Sequence, residues 1–400
     1  LQEPMFAGAA ARAEQARTYS PGSLRPETAR ALYGAELHFS SSRIDVLAGC
    51  RFAHFLQYGL RAQEREPAEF DSRFYGTFVH DVLEYIVQQT EREGGFAAVP
   101  RSRVQELAQE RMEQNAQTLL KTFPDSGRTG YLLRRTFDEV TQVVDELYDE
   151  LSVSAFRPEF CELEFSARGA LPGVAFAGER CRGVVEGFVD RVDVWQSGGR
   201  PYVRVVDYKT GRKSFDYTNV LHGRGLQMLL YLFALVRQGG HLLYGEPLPA
   251  GVLYFPARIE RVSVRDRLAQ AEIEKERRKQ LRRSGVLLNS DPVLEAMEPC
   301  GGSPRFLPYT LDKEGRKTGD LASFAQLAQL ERFVFRTVAA LGDELADGRI
   351  DPDPCIRDAK DSACAFCPYS EVCAGHEQPR WLKKITAEEF WQTLERREHG

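Results

Sequence analysis

The chain has 400 residues, more than one ordinary domain requires and enough to bury a large core. Apolar residues make up 42% and charged residues 28% of the sequence. This balance excludes a disordered tail, a collagen-like chain and a small disulfide-stapled scaffold. The formal charge of −5 gives no overall basicity, so any contact with nucleic acid must come from a local patch.

Membrane and secretory signals are not visible in the sequence. The longest apolar stretch, residues 226–236, is far shorter than the roughly 20 residues that span a bilayer. Residues 1–20 lack the charged start and apolar core of a secretory signal. We therefore expect a cytoplasmic protein without a membrane partner. Since the chain begins at Leu1 without methionine, we also expect it to be a segment of a longer protein.

The N-terminal third is predicted to be helical after an initial linker. Residues 1–40 are rich in Ala, Arg, Pro and Gly, and they are interpreted as a linker from a preceding region. Ser40 to Ser42 offer N-caps for an amphipathic helix over 44–60 that carries Cys50. Together with further helices predicted at 76–89, 101–122 and 130–153, this helix gives a helical segment over 41–155.

The period of the apolar residues changes to two at Glu159, which predicts strands at 159–167, 182–195 and 200–209. A helix at 224–238 and a strand at 251–257 follow, so residues 156–260 are predicted to form a mixed α/β core. Residues 261–350 are interpreted as a helical insertion with packing helices. Residues 351–400 are interpreted as a cysteine-rich segment with a C-terminal helix.

Two acidic residues and a lysine mark the end of this predicted core. Asp207 and Lys209 are two apart in a strand, so their side chains project from the same face. Asp190 lies 17 residues earlier on the neighbouring strand, which is compatible with convergence of the two carboxylates. Such a set suits Mg²⁺ or Mn²⁺ and the hydrolysis of phosphodiesters. The alternative is a surface strand pair with ordinary salt bridges.

Two helices offer further candidates. His80 lies on the helix at 76–89, where a neutral imidazole suits a metal ligand, although a structural helix histidine is the alternative. Gln227 and Tyr231 are four apart, hence on one face of the later helix, where they suit contacts with a phosphate or with Lys209. Their alternative is a polar pair that borders an apolar stripe.

The cysteines supply an independent pattern, because three of the eight fall within ten residues. Cys364, Cys367 and Cys373 are too closely spaced for three separate disulfides, and their spacing suits a metal or a cluster with a fourth ligand from elsewhere. The spacing alone fits zinc as well as iron and sulfur.

These residues together resemble the PD-(D/E)XK nuclease superfamily, and within it the RecB-like branch. That branch has a helix histidine, a G-x-x-D-R strand, a D-Y-K-T strand and a Q-x-x-x-Y helix, and all four occur here in that order. The resemblance implies a restriction-endonuclease-like α/β core. It also implies that His80, Asp190 and Asp207 are metal ligands, that Lys209 is catalytic and that Gln227 and Tyr231 assist. Glu84 is a weaker extra candidate.

The cysteine pattern resembles the iron–sulfur staple of the AddB-type nuclease family, with a distant cysteine before an aromatic-rich helix and a late C-x-x-C-x5-C trio. This implies that Cys50, Cys364, Cys367 and Cys373 bind a structural 4Fe-4S cluster, with Cys355 as the rival for the fourth place. Arg51 departs from the family, which commonly has proline there. Three further cysteines are interpreted as incidental thiols, namely Cys161, Cys181 and Cys300.

The same resemblance implies the C-terminal nuclease region of a helicase-nuclease subunit that processes double-strand breaks for recombinational repair. In that family this nuclease cuts the strand ending 5′ at the break, and an AddA-type partner supplies the motor. No phosphate-loop motif occurs in the sequence, so we expect no ATP hydrolysis in this chain. The basic helix predicted at 265–283 suits a DNA backbone, or alternatively a solvated face or an AddA-type contact. The alternative functions are a stand-alone nuclease with zinc and a catalytically silent DNA-holding module.

Overall fold

The computed structural model describes residues 7–18, 22–62, 72–122, 127–211, 214–259, 270–373 and 378–399. Its helices in these ranges are α1 (Ala7–Thr18), α2 (Pro26–Tyr33), α3 (Ser41–Gly49), α4 (Arg51–His54), α5 (Ser72–Arg92), α6 (Arg101–Thr122), α7 (Gly127–Leu151), α8 (Tyr217–Leu221), α9 (Gln227–Gln238), α10 (Gly240–Leu243), α11 (Gln270–Gln280), α12 (Asp291–Met297), α13 (Phe324–Ala346), α14 (Ser370–Cys373) and α15 (Ala387–His399). The strands are β1 (Leu37–Ser40), β2 (Arg157–Phe165), β3 (Val174–Ala177), β4 (Arg182–Ser197), β5 (Arg200–Lys209), β6 (Leu248–Pro256), β7 (Ser284–Leu288), β8 (Tyr309–Leu311), β9 (Lys317–Gly319), β10 (Leu321–Ala322), β11 (Cys355–Ile356) and β12 (Arg380–Trp381).

A mixed central sheet organises the described residues. Its strand order is β1-β4-β5-β6-β7-β10, and β2 and β3 also pair with β4. β4 runs antiparallel to β5, and β5 runs parallel to β6. Because most side chains of β5 and β6 are buried, helices must cover both faces of the sheet. The predicted α/β fold, with a mixed sheet flanked by helices, is confirmed.

Helix α5 brings the predicted histidine to the sheet. Its apolar stripe of Phe78, Val82, Leu83 and Ile86 is buried, and the helix packs against β2 and α6. The 3.6-residue repeat of this stripe fixes which face of α5 is turned inward. Helix α9 packs against β5 and β6, and α13 packs against α9.

Gly187 lies where β4 changes neighbours. Residues before it pair with β1 and β3, and residues after it pair with β2 and β5. The glycine has a φ of 155°, which side chains rarely adopt, and a Cβ built there would lie 2.1 Å from Oη of Tyr231. The site therefore requires glycine for both its backbone conformation and its contact.

The predicted linker over 1–40 is wrong in part, since residues 26–40 contain α2 and the sheet strand β1. Leu37 pairs with Gly183, and Phe39 is fully buried beside Phe176. A four-residue strand is too short to show a clear period of two, which explains why the pattern did not reveal it.

The predicted helical character of residues 261–350 is also wrong in part. β7 and β10 extend the central sheet, and β8 and β9 form a small antiparallel pair. The basic helix predicted at 265–283 corresponds to α11 over Gln270–Gln280, while residues 260–269 lie outside the described ranges.

The predicted helix over 44–60 is interrupted at Cys50. Ser40 caps α3 as predicted, by accepting from the backbone amide of Arg43 over 3.3 Å. Cys50 then adopts an extended conformation, and the chain continues as α4 and a π-helical turn, Phe55–Gly59. Among the described residues, no helix has both the length and the apolar character needed to cross a membrane.

Candidate active site

The pairing of β4 with β5 brings Asp190 and Asp207 together. Their last registered pair is Arg191 with Val206, so the two aspartates follow directly opposite each other. Asp190 accepts a hydrogen bond of 2.6 Å from the backbone amide of Tyr208. The convergence expected from their spacing is therefore present, at the end of two adjacent strands.

His80 approaches this strand end from α5. Its Nε2 lies 2.8 Å from the carbonyl oxygen of Tyr208, and its Nδ1 lies 3.6 Å from Oδ2 of Asp190. Because a carbonyl only accepts, Nε2 carries the proton in the neutral imidazole, and Nδ1 presents its lone pair. A metal ion would thus be held through Nδ1.

Glu162 completes a group that sequence reasoning did not include. His80, Glu162 and Asp190 offer ligand atoms that all lie within 4.8 Å of one another. Glu162 stands on β2 between Cys161 and Leu163, whose partners on β4 are Arg191 and Val189, so it lies across from Asp190. It has a φ of 49°, a left-handed conformation that is uncommon for glutamate.

Negative charge accumulates in this group. Burial, followed by the carboxylate of Asp207, raises the pKa of Asp190 well above its ordinary value. Burial also raises the pKa of Glu162, with Glu84 and Asp207 adding to the effect, and burial lowers the pKa of His80. Two or more buried carboxylates with a neutral imidazole form a hard donor set, which fits Mg²⁺ or Mn²⁺.

Lys209 forms an ion pair with Asp207, as their shared strand face predicts. Its ammonium also lies 5.8 Å from the ring centroid of Tyr254, which is within the range of a cation–π contact. The side chain is 22% exposed, so its charged end can reach solvent or a phosphate. Asp207 therefore faces both the candidate metal group and the lysine.

Tyr231 lies deeper than the resemblance alone suggests. It is fully buried, its ring stacks on Phe165 with centroids 4.9 Å apart, and its hydroxyl donates to the carbonyl of Glu186 over 3.4 Å. Burial raises its pKa to about 12. Since this contact supports β4 just before Asp190, Tyr231 acts in this geometry as a positioning residue.

Gln227 and Glu84 lie at the margin of the group. Gln227 is the first residue of α9 and is partly buried, one turn before Tyr231. Glu84 lies one turn after His80 and accepts a hydrogen bond of 2.8 Å from Gln88. Glu84 acts on the group through its charge, which contributes to the raised pKa of Glu162.

A buried ion network supports Tyr208 from beneath. Arg191 donates to the Tyr208 hydroxyl over 2.9 Å and to Asp193 over 2.7 Å. Arg204 also donates to Asp193, and the side chains of both arginines are fully buried. Because the backbone of Tyr208 contacts both His80 and Asp190, this network holds the candidate ligands in place.

A second site lies at the cysteines. Cys50, Cys364, Cys367 and Cys373 all line one cavity of about 60 Å³. Burial raises the pKa of Cys50 to about 11, while the backbone amides of Ala53, Phe52 and Asp353 lower it by hydrogen bonding to the sulfur. Four sulfurs around one small cavity, with amides directed at one of them, fit a thiolate-bound metal centre.

The remaining cysteines have other environments. Cys355 is buried, does not line the cavity and donates its thiol to the carbonyl of Ala48 over 3.3 Å. Cys181 and Cys300 bond to backbone carbonyls, and Cys161 lies on β2. Of the two rivals for the fourth place, Cys50 is therefore the one that lines the cavity.

Arg51, the residue at which the sequence departs from the resembled pattern, anchors the start of α4. Its guanidinium is buried and forms ion pairs with Asp353 and Glu344. Arg380 joins the same carboxylate of Asp353 at 3.0 Å and donates to the carbonyl of Ala48. This ion cluster ties α3 and α4 to the C-terminal part of the chain.

Comparison with known proteins assigns the family. A family model for the PD-(D/E)XK nuclease superfamily matches residues 38–374. The chain belongs to the PD-(D/E)XK nuclease superfamily. Similar proteins, each named as the B subunit of an ATP-dependent helicase/deoxyribonuclease, come from Moorella thermoacetica (34% identical over 88% of this chain and 31% of the relative) and Thermoanaerobacter sp. (29%, over 91% and 33%). The chain thus spans about a third of the length of these curated relatives.

Within this PD-(D/E)XK chain, the signal for Glu162 was available but not used. β2 was predicted, and a carboxylate at its centre faces β4 at Asp190 only in one pairing register. The register shift between Pro158 and Phe160 sets that pairing, and such an irregularity cannot be read from alternation alone.

Proposed function

We propose that this chain is the metal-dependent deoxyribonuclease module of a helicase-nuclease subunit. The observation that carries the proposal is the convergence of His80, Glu162 and Asp190 beside the Asp207–Lys209 pair. Family membership and the names of the relatives support the same chemistry.

Mg²⁺ or Mn²⁺ is the proposed cofactor, held by His80, Glu162, Asp190 and Asp207. When bound, the ion polarises the scissile phosphate and activates water for attack on phosphorus. The tautomer of His80 is set by Tyr208, which keeps Nδ1 directed toward Asp190. Lys209, kept in place by Asp207, orients the phosphate and stabilises the charge that develops on its oxygens.

A 4Fe-4S cluster is the proposed occupant of the cysteine cavity, with a structural role. Cys50 and the late trio are separated by over three hundred residues, so a shared cluster closes a very long loop and restricts the unfolded chain. When bound, it joins the N-terminal helices to the C-terminal segment around the sheet.

The finer assignment follows from the relatives and the resemblance. We propose an exonuclease that acts on single-stranded DNA during double-strand break resection and cuts the strand ending 5′ at the break. The proposed partner is an AddA-type subunit that supplies ATP-driven unwinding. The long relatives are named as helicase and deoxyribonuclease together, which supports a division of labour between this module and the remaining two thirds of such a protein.

The test is Mg²⁺-dependent digestion of a single-stranded oligonucleotide by Asp207→Asn. We expect loss of about 100-fold or more, since metal assistance supplies several kcal/mol of transition-state stabilisation. The matched control is Glu246→Gln, an exposed carboxylate just before β6, at the end of the parallel pair opposite the site. Full activity of Asp207→Asn would contradict the site, and an inactive parent chain with an intact cluster would favour the DNA-holding module.

A further inference from the structure

A large cleft lies between the cysteine segment and the end of β5. Its volume is about 850 Å³, within the range of about 300–1,000 Å³ that is typical of ligand sites. One wall carries Gly211, Phe215 and Tyr254, and the other carries Lys360 and Phe366. Because both walls consist of described residues, the cleft is a feature of the folded core and the cysteine segment together.

The cleft begins at the candidate active site. Gly211 is two residues beyond Lys209, and the ring of Tyr254 lies 5.8 Å from the lysine ammonium. Tyr254 also senses the charge of Asp207, which with burial raises its pKa. A polymer that places one phosphate at Lys209 can therefore continue along the cleft toward the cysteine segment.

Phe366 is the most exposed large apolar side chain among the described residues, at 96%. It stands on the short turn between Cys364 and Cys367, where the amide of Cys367 donates to the carbonyl of Cys364 over 3.2 Å. An aromatic ring held in water at the rim of a cleft loses the benefit of burial unless a ligand covers it. Nucleic-acid bases are ligands that cover such a ring by stacking.

The cations of the cleft differ in how they are paired. Arg357 pairs with Asp216 and Asp361. Lys360 is exposed on the same wall as Phe366, and among the described residues it forms no ion pair. The wall thus presents one aromatic face and one ammonium that is available to a phosphate, the two elements of a sequence-tolerant single-strand site.

We propose that this cleft holds the strand of single-stranded DNA adjacent to the cut, with a base stacked on Phe366 and a phosphate bound by Lys360. The proposal rests on the proposed nuclease function and names where its substrate lies. Duplex DNA does not fit this role, because its bases are stacked on each other and their faces are not free for Phe366. A protein surface that covers Phe366 is the competing occupant.

The experiment measures binding of a fluorescent single-stranded oligonucleotide to the full 400-residue chain, carried in the Asp207→Asn background to prevent cleavage. We expect Phe366→Ala to weaken binding at least about fivefold, and Phe366→Trp to retain it, as stacking requires. Lys360→Ala should lower the salt dependence by about one phosphate contact. Tyr244→Ala removes another exposed aromatic (94%) that does not line the cleft, and it should leave binding unchanged.

The outcomes separate this inference from the proposed function. If the parent chain cleaves DNA but Phe366→Ala and Tyr244→Ala bind the strand equally, the cleft assignment is wrong and the nuclease assignment stands. Equal weakening of duplex and single-strand binding would also overturn it. If Phe366→Ala leaves strand binding intact but weakens association with an AddA-type subunit, Phe366 belongs to a protein interface. A parent chain that cleaves no DNA contradicts the proposed function itself.

Discussion

The carbonyl oxygen of Tyr208 lies 2.8 Å from Nε2 of His80, and this contact decides which nitrogen of the imidazole faces the carboxylates. Nδ1 is left 3.6 Å from Asp190, whose carboxylate is itself bound by the amide of the same tyrosine. One peptide unit on each side of Tyr208 therefore orients two candidate ligands. Metal affinity should depend on this backbone geometry as much as on the ligands themselves.

Glu162→Gln should weaken metal binding while preserving the fold, because glutamine keeps the volume of the side chain and removes its charge. We expect the Mg²⁺ concentration for half-maximal cleavage to rise at least about tenfold, as for other changes around metal ligands. The control is Glu84→Gln, which removes a nearby charge that is not in the ligand group. An unchanged Mg²⁺ requirement in Glu162→Gln, with a raised one in Glu84→Gln, would reverse the two assignments.

Replacement of single cysteines should separate Cys50 from Cys355. Cys50→Ser removes a sulfur from the cavity and should abolish bound iron and the visible absorbance of the purified chain. Cys355→Ser retains a donor to the carbonyl of Ala48 and should keep its iron. Iron and sulfide assays of anaerobically prepared protein measure both. Zinc in place of iron in the parent chain would contradict the cluster and leave the four-thiolate site.

Arg51→Ala should destabilise the chain by about 3 kcal/mol, since removal of one partner from a buried ion pair leaves the carboxylate of Asp353 under-compensated. Urea denaturation measures the free energy of unfolding. Arg349→Ala removes an arginine that is 45% exposed and also pairs with Glu344, and it should change stability by less than about 1 kcal/mol. Equal effects of the two variants would show that burial of Arg51 has no special weight.

His54 predicts a loss of stability in acid. Burial lowers its pKa from 6.5 to about 3, with the nearby charge of Arg43 contributing. The unfolded chain therefore takes up a proton below pH 6.5 that the folded chain refuses, so stability is lost as pH falls from 6.5 toward 3. The steepest contribution is about 1.4 kcal/mol per pH unit. His54→Phe should flatten this part of the stability profile.

The control for His54 is His241→Gln, because His241 is exposed and its ring lies 3.0 Å from a single backbone carbonyl, that of Gln238. Its stability profile between pH 6.5 and 3 should match that of the parent chain in urea denaturation. If His54→Phe and the parent lose stability in parallel over this range, other groups dominate the acid sensitivity.

Local patterns predicted most of the elements that carry the site. The alternation around Asp190 and Asp207 gave both strands and the face they share, and the stripe on α5 gave the orientation of His80. Features that depend on distant pairing were missed. Glu162 enters the ligand group through the register of β2 against β4, and β7 becomes a sheet strand only because β6 lies beside it.

The break at Cys50 shows the same limit at the level of one residue. Three- and four-residue spacing continues through Cys50, so the pattern predicts an unbroken helix. The amide of Arg51 instead donates to a carboxylate oxygen of Asp353, and this contact favours the extended conformation at Cys50. A residue 302 positions away thus determines a local backbone angle.

That separation of 302 residues also has a consequence for biosynthesis. At about 5–20 residues per second, a ribosome needs roughly 15–60 s to proceed from Arg51 to Asp353. During that interval the early arginine has no carboxylate partner from the late segment, and Cys50 waits for the three other sulfurs. Completion of the fold must therefore follow emergence of the final tenth of the chain, when chaperones and cluster-assembly factors would have their opportunity to act.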